Sequence, residues 1–172
     1  RQAGSRTGKA RGSGAPLLQR LVLPGHEEFD DFVSYGKPQA LVMTPTRELA
    51  LQVSTDLAKA SAKLGVRVLT IYGGVGYDEQ LDTLSDGVDL VVGTPGRLLD
   101  LANRKSLDLS HVQVLVLDEA DEMLDLGFLP DVERLTGMTP SDKQTLMFSA
   151  TMPAQIIALA RAHLNQPVHV RA

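Results

Sequence analysis

Three carboxylates follow the most apolar stretch of the chain. A strand predicted at 112–117 is followed by Asp118, Glu119 and Asp121. Like charges this close together need a cation or hydrogen-bond donors to offset their repulsion. A Walker B nucleotide site meets that need, because its first carboxylate serves nucleotide-bound magnesium and the next polarises a water molecule. The alternative is a plain helix start, which accounts for one acid better than for three.

Two small hydroxyl residues follow another predicted strand, at 145–148. Ser149 and Thr151 stand two residues apart, shortly before a helix predicted to begin near Pro153. Hydroxyl side chains at this place cap helices, and we expect Thr151 to do so. Taken alone, the pair does not define a ligand.

Two strand-to-helix junctions have the features of phosphate sites. Residues 44–50 read Thr-Pro-Thr-Arg-Glu-Leu-Ala, and residues 94–97 read Thr-Pro-Gly-Arg. Backbone amides at a helix N-terminus bind phosphate, and Thr46 adds a hydroxyl at the first junction. The alternative there is a capped helix whose Arg47 pairs with Glu48 or another neighbour.

A glycine pair, Gly73 and Gly74, ends a third predicted strand. Glycine permits the close approach of another backbone, although a plain turn also accounts for the pair. The carboxyl ends of parallel strands meet at one edge of a sheet, where ligands bind. The glycine pair and the two helix starts therefore suit a ligand with repeated phosphates, such as a single strand of nucleic acid.

The elements that position these motifs alternate along the chain. A start rich in Gly and Arg at 1–14 and a loop at 24–38 precede a regular succession of short apolar strands and helices. This succession predicts an α/β fold with a mainly parallel sheet and helices on both faces. The predicted strands are 40–43, 66–72, 89–92, 112–117, 145–148 and 168–170, and the predicted helices are 46–64, 77–84, 95–102, 129–135 and 153–164.

Composition narrows the classes of function. The chain has 172 residues, 43% of them hydrophobic and 22% charged, which suits one domain. The formal net charge of -4 argues against binding nucleic acid by bulk basicity, so any such contact must come from local groups. The absence of cysteine excludes disulfides and thiolate metal sites and is compatible with a reducing cytosol. The chain contains no apolar run of the roughly 18 residues that a membrane span requires.

Five motifs, in this order, resemble those of the DEAD-box ATP-dependent RNA helicases. The resemblance covers about residue 37 to the end and, more loosely, the start of the chain. It implies the N-terminal RecA-like domain of a bacterial, cytoplasmic member, with a second RecA-like domain as partner. It also implies that the protein uses ATP and Mg²⁺ and binds RNA with little sequence specificity. The motifs are Pro-Thr-Arg-Glu-Leu-Ala at 45–50, Gly-Gly at 73–74, Thr-Pro-Gly-Arg at 94–97, Asp-Glu-Ala-Asp at 118–121 and Ser-Ala-Thr at 149–151.

The resemblance implies a role for each motif residue. Asp118 binds the magnesium of ATP, largely through water, and Glu119 orients and activates the attacking water. Asp121 hydrogen-bonds with the region of Ser149 and Thr151 and so couples hydrolysis to strand opening. The residues expected along the RNA backbone are Pro45, Thr46, Arg47, Gly73, Gly74, Thr94, Gly96 and Arg97.

The phosphate-binding loop departs from the family pattern, Ala-x-Thr-Gly-x-Gly-Lys-Thr. Residues 3–10 read Ala-Gly-Ser-Arg-Thr-Gly-Lys-Ala. Gly8 and Lys9 therefore fall where the phosphate-binding Gly-Lys stands. Arg6, however, replaces the first glycine, and Ala10 replaces the Thr whose hydroxyl touches magnesium. Natural degeneracy, an altered segment and omitted residues all stay open as explanations.

Two functions stay open in view of this altered loop. The first is a helicase domain that couples ATP binding and hydrolysis to RNA strand separation once joined to its second domain. Because the family's arginine fingers come from that second domain, the isolated domain is expected to hydrolyse ATP poorly and to unwind nothing. The alternative is a non-catalytic RNA- or partner-binding module. The presence of Glu119 beside Asp118 favours the helicase.

Overall fold

The computed structural model describes residues 37–168 together with Leu18, Gln19 and Leu21. The strands are β1 (Ala40–Met43), β2 (Val68–Ile71), β3 (Leu90–Gly93), β4 (Val114–Leu117) and β5 (Gln144–Met147). The α-helices are α1 (Arg47–Ser61), α2 (Asp78–Asp86), α3 (Pro95–Asn103), α4 (Ala120–Asp125), α5 (Leu129–Gly137) and α6 (Ala154–His163), and a 3₁₀ turn, Ala62–Leu64, follows α1.

The strands form one sheet in the order β2-β3-β1-β4-β5, and every pairing is parallel. The inner strands β1, β3 and β4 are apolar and buried at every position. A parallel strand with helices on both sides buries both of its faces, so continuous aliphatic runs occupy the centre. β2 alternates between half-buried and buried positions and β5 is half-buried throughout, as suits the outer strands of the described sheet.

Successive side chains of each strand point to opposite faces of the sheet and pack in two separate hydrophobic cores. In β1, Leu41 and Met43 pack on the face that carries α2 to α6, whereas Ala40 and Val42 pack on the face that carries α1. The described residues therefore form three layers, with helices on both faces of the sheet. The predicted α/β architecture is confirmed, and the described sheet is parallel throughout.

All five strands end at the same level of the sheet, because the last residue of each strand is paired with the last residue of its neighbour. The hydrogen bonding then continues one residue beyond the strands and sets four post-strand residues in a row along the carboxyl edge. These amide-to-carbonyl bonds run from Thr94 to Ile71 (3.0 Å), Thr44 to Gly93 (2.9 Å), Asp118 to Met43 (3.0 Å) and Phe148 to Leu117 (2.8 Å).

Gly93 is required at the end of β3. A Cβ atom at this position would lie 2.5 Å from the carbonyl oxygen of Ile71 and 2.9 Å from the side chain of Leu98. The first contact is with backbone, which cannot move without disturbing the pairing of β2 with β3. The absence of a side chain thus lets β3 pass between its neighbour strand and α3.

Two expectations about the elements change. α4 was not predicted; it begins directly after Glu119, so the acids do stand at a helix start, where they favour the macrodipole. A strand was also predicted at 168–170. Val168 does not belong to a strand, and residues 169 and 170 lie outside the described part. The stretch 1–14 and most of the loop 24–38 also lie outside it. Among the helices described, none is long and apolar enough to cross a bilayer.

Candidate functional site

Glu119 stands where β4 turns into α4, in the left-handed backbone conformation with φ 51° and ψ 53°. A residue other than glycine pays about 1 kcal/mol or more for this conformation, and such residues cluster at functional sites. The next amide, that of Ala120, donates a hydrogen bond of 3.0 Å to the carbonyl oxygen of Phe148. The turn that carries Asp118 and Glu119 is therefore fastened to the segment after β5.

Four hydrogen bonds connect Asp121, Ser149 and Thr151 with one another, and three of them involve Asp121. The Asp121 amide donates to the Ser149 hydroxyl (3.2 Å), which donates to the carbonyl oxygen of Thr151 (2.6 Å). The amide and the hydroxyl of Thr151 both donate to the Asp121 carboxylate, at 3.0 and 2.9 Å. The predicted association of these three residues is therefore present. The prediction that Thr151 caps the following helix was wrong, because Pro153 occupies the cap of α6 and no side chain caps it.

The protonation of Asp121 follows from these contacts. Partial burial acts to raise the pKa of the Asp121 carboxyl, but the two hydrogen bonds from Thr151, together with those from the Ser149 side chain and the Glu122 backbone, favour the charged form and outweigh it. The net effect holds the pKa of Asp121 below its ordinary value. Asp121 is therefore a carboxylate at neutral pH and can keep both bonds.

Glu122 is a member of the site that the sequence analysis missed. A hydrogen bond with Glu119, together with partial burial and the charges of Glu119 and Asp121, raises the pKa of Glu122. Glu122 thus holds a proton more readily than a free glutamate. Its place three residues after the helix cap, where a Glu side chain reaches back toward the cap, was the available signal.

A pocket of about 350 Å³ opens beside these acids. Within residues 37–168 no group of three or more metal-ligating side chains could hold a metal ion by itself. Magnesium bound through one carboxylate, nucleotide phosphates and water needs no such group, so the magnesium role of Asp118 stays a prediction. The predicted phosphate-loop residues Gly8 and Lys9 lie outside the described residues, as do Arg6 and Ala10. The pocket is lined by Glu119, Asp121, Glu122, Asp125, Phe148, Ser149 and Ala150.

The first helix start is a capped one. The hydroxyl of Thr46 accepts a hydrogen bond from the amide of Leu49 at 3.3 Å, while Pro45 is buried. The exposed guanidinium of Arg47 lies over the ring of Tyr72, 4.7 Å from its centre. Arg47 therefore makes a cation–π contact, which the sequence did not predict. Thr46 and Arg47 therefore stand at the carboxyl edge with defined positions.

The second helix start leaves more open surface. Pro95 occupies the first turn of α3, and the hydroxyl of Thr94 makes no capping hydrogen bond. Gly96 is exposed, and a Cβ atom built on it would meet nothing within 4 Å. A side chain would fit at this position, so packing within the fold does not require glycine. The open space above the helix start leaves room for a ligand.

Residues 73–76, here named the glycine loop, connect β2 with α2. Gly73, Gly74 and Gly76 are exposed with open space above their Cα atoms, and Gly74 has a φ of 80°. The guanidinium of Arg97, predicted to line the RNA path, donates hydrogen bonds to the carbonyl oxygens of Val75 (2.7 Å) and Gly76 (3.4 Å). Arg97 therefore holds this loop against the start of α3.

The three-layer parallel fold and the motifs along its carboxyl edge define a RecA-like domain of the helicase type. The model of the DEAD/DEAH box helicase family matches residues 2–159, and the chain belongs to this family.

Relatives and solved structures agree with this assignment. The chain is 47% identical to a maize protein named DEAD-box ATP-dependent RNA helicase 3A, chloroplastic, over 95% of this chain and 22% of that protein. It is 44% identical to DEAD-box ATP-dependent RNA helicase CshA of Geobacillus kaustophilus, over 99% and 34%. The chain thus spans about a third or less of the length of these relatives.

Two crystal structures share the fold. A DEAD box protein from the hyperthermophile Methanococcus jannaschii has a TM-score of 0.82 and 37% identity, with 96% of this chain and 42% of that chain covered. The yeast DEAD-box splicing factor Prp28 has a TM-score of 0.82 and 34% identity, with 96% and 38% covered. The RecA-like fold expected from the sequence is confirmed.

Proposed function

We propose that the chain is the N-terminal ATP- and RNA-binding domain of a DEAD-box RNA helicase. Together with a second RecA-like domain, it couples the binding and hydrolysis of ATP to the separation of RNA strands. Family membership and relatives named ATP-dependent RNA helicases support this function. The observation that carries it is the direct bonding of Asp121 to Thr151, which ties the candidate ATP site to the segment after β5.

Glu119 is the group for the chemical step. Its carboxylate accepts a hydrogen bond from the water that attacks the terminal phosphorus of ATP, and it takes the proton as the new P–O bond forms. The bond from that phosphorus to the bridging oxygen breaks, and ADP leaves with the electron pair. Magnesium, which Asp118 would hold through water, offsets the negative charge of the phosphates when bound.

The RNA backbone is expected along the exposed glycines and the two helix starts. Amides at a helix N-terminus bind phosphate. Contacts of this kind, and those of exposed glycines, do not distinguish one base of RNA from another. Exposed Arg47 supplies local positive charge on a chain whose formal net charge is -4. This surface suits the sugar-phosphate backbone of RNA bound with little sequence preference.

The altered sequence at 3–10 favours the second candidate, a non-catalytic RNA- or partner-binding module. Glu119 argues against it, because a strained acid beside Asp118 and Asp121 serves no purpose in a site that turns over no nucleotide. The location in the cytoplasm stays a prediction, since the relatives include chloroplastic as well as bacterial proteins.

The test compares Glu119→Gln with wild type in the complete protein. We expect RNA-stimulated ATP hydrolysis to fall at least about 100-fold, while the affinity for ATP stays within about threefold. Glu133→Gln, the same change at an exposed position on α5, is the matched control and should leave hydrolysis unchanged. Hydrolysis that survives in Glu119→Gln would exclude Glu119 as the base.

A wild-type protein that binds no ATP would support the non-catalytic module. Two variants in the phosphate loop then locate the reason. Gain of ATP binding by Ala10→Thr alone shows that the loop is degenerate. Loss of binding in Lys9→Ala, where wild type does bind, shows that the loop works despite its altered sequence.

A further inference from the structure

The glycine loop is bounded at both ends by an aromatic residue, and each ring is covered by an arginine from a different helix start. At one end Arg47 of α1 lies 4.7 Å from the ring centre of Tyr72. At the other end Arg97 of α3 lies 4.1 Å from the ring centre of Tyr77. The two arginines predicted to line the RNA path therefore also contact the ends of the loop between them.

Tyr77 is the more firmly held of the two rings. Besides Arg97, the guanidinium of Arg104 lies 4.3 Å from its centre, and its hydroxyl donates a hydrogen bond of 2.6 Å to the Asp100 carboxylate. Arg104 donates to the same carboxylate at 3.0 Å. Arg97 and Asp100 belong to α3 and Arg104 is its C-cap residue, so the ring is fastened along the length of that helix.

The loop itself is secured from both sides of its turn. Arg97 donates to the carbonyl oxygens of Val75 and Gly76, and the side-chain amide of Gln80 donates to the carbonyl oxygen of Tyr72 at 3.2 Å. The contacts therefore reach the residue before the glycine loop, the loop and the residue after it. None of them occupies the open space above Gly73, Gly74 or Gly76.

We propose that Tyr77 is a positioning residue, which together with Arg97 fixes the glycine loop against α3 so that the loop and the start of α3 form one surface for the RNA backbone. The inference rests on the proposed RNA-binding function and extends it to a residue outside the predicted motifs. Tyr77 acts through Arg97 and the loop and needs no contact with RNA.

The physical reason is conformational entropy. Glycine has more backbone freedom than any other residue, so a free loop with three glycines would have to be ordered at each binding event. A ring stacked against two guanidinium groups meets this cost in advance, during folding. A surface that is already ordered binds more tightly, although no contact with the ligand is added.

The test measures binding of a short single-stranded RNA to the complete protein, with a non-hydrolysable ATP analogue present and over a series of salt concentrations. Tyr77→Leu removes the ring and should raise both the Kd for RNA and the half-saturating RNA concentration for ATP hydrolysis about fivefold to tenfold. The kcat at saturating RNA should stay within about twofold of wild type. The slope of log Kd against log salt should not change, because no cation is removed. Tyr77→Phe keeps the stacked ring and should stay within about twofold in every measurement.

Arg97→Lys separates positioning from charge. Lysine keeps the positive charge but has neither the planar group that stacks on Tyr77 nor the paired donors that reach Val75 and Gly76. We expect its Kd for RNA to rise about fivefold with an unchanged salt slope. Arg134→Lys, at an exposed position on α5, is the matched control and should bind as wild type does. If Arg97→Lys binds like wild type, charge alone matters and the inference is overturned, and this variant decides if Tyr77→Leu does not fold.

NMR order parameters of the Gly73, Gly74 and Gly76 backbone amides test the inference without RNA. They should be lower in Tyr77→Leu than in wild type and unchanged in Tyr77→Phe. Equal order parameters in all three proteins overturn the inference, as does normal RNA affinity in Tyr77→Leu. If wild type binds no RNA, the proposed function fails, while the order parameters still decide whether Tyr77 positions the loop.

Discussion

The carboxylate of Asp121 accepts two hydrogen bonds from Thr151, one from its amide at 3.0 Å and one from its hydroxyl at 2.9 Å. The two residues are 30 positions apart in the chain and lie after neighbouring strands, β4 and β5. A change in the position of one segment therefore cannot leave the other unaffected unless these bonds break. This relationship makes the pair of Asp121 and Thr151 a direct link between the acids of the candidate ATP site and the segment leading to α6.

A double-mutant cycle measures this link. Thr151→Val removes the hydroxyl with little change in shape, and Asp121→Asn removes the charge. Each change should destabilise the protein, and the double variant should lose less than the sum, with a coupling energy of about 1 kcal/mol in urea unfolding. In the complete protein, Thr151→Val should reduce RNA unwinding more than ATP hydrolysis. Additive energies, or an equal loss of both activities, would contradict the proposed link.

The same pair predicts a pH dependence. The pKa of Asp121 is lower in the folded protein than in the unfolded chain, whose Asp pKa is about 3.9. Its stabilising effect is therefore complete above the unfolded pKa and is lost as pH falls through the lower folded pKa. The stability difference between wild type and Asp121→Asn should be full at pH 7 and shrink below about pH 4. A difference that grows as the pH falls would show that the sign is wrong.

Two glycines on the carboxyl edge should respond in opposite ways to the same substitution. Gly93→Ala places a Cβ atom 2.5 Å from the carbonyl oxygen of Ile71 and should destabilise the fold by about 2 kcal/mol. Gly96→Ala meets open space in the first turn of α3 and should be neutral or stabilising by up to about 1 kcal/mol. Its methyl group should nevertheless weaken RNA binding, because it fills room needed by the backbone of the ligand. Urea unfolding and RNA titration of both variants separate the two effects, and a stable Gly93→Ala would contradict the packing argument.

The sequence predicted the sheet well because burial on both faces leaves a strong signal. β1 was predicted with the observed bounds, and the other four strands were predicted to within two residues at each end. Continuous aliphatic runs are the signature of inner parallel strands, and the motifs after them fall at the carboxyl edge by topology alone. α4 was not predicted because a segment of six residues, all of them acidic or apolar, is too short to show a helical period.

The contacts around the glycine loop could not be predicted. Arg97 and Tyr77 are 20 residues apart on different elements, and no periodicity relates them. Whether Arg97 turns toward solvent or toward the loop depends on the path of the loop, which side-chain spacing does not encode. Thr151 presents the same difficulty, because a cap and a bond to Asp121 use the same hydroxyl and only the fold brings the carboxylate within reach.

An ion pair at the opposite edge of the sheet should affect stability alone. Asp89, whose side chain is 4% exposed, accepts hydrogen bonds from the Arg67 amide (2.8 Å) and from its guanidinium (3.1 and 3.2 Å) just before β3 and β2 begin. Arg67→Met leaves this carboxylate buried without its charged partner and should lower the free energy of unfolding by about 3 kcal/mol. Asp89→Asn leaves a half-exposed arginine without its partner and should lower it less, by about 1–2 kcal/mol. Urea unfolding gives the order of the two costs, and the reverse order would contradict the argument from burial. RNA affinity should be unchanged in both variants at temperatures where they are folded, because Arg67 and Asp89 precede the strands whose other ends carry the site.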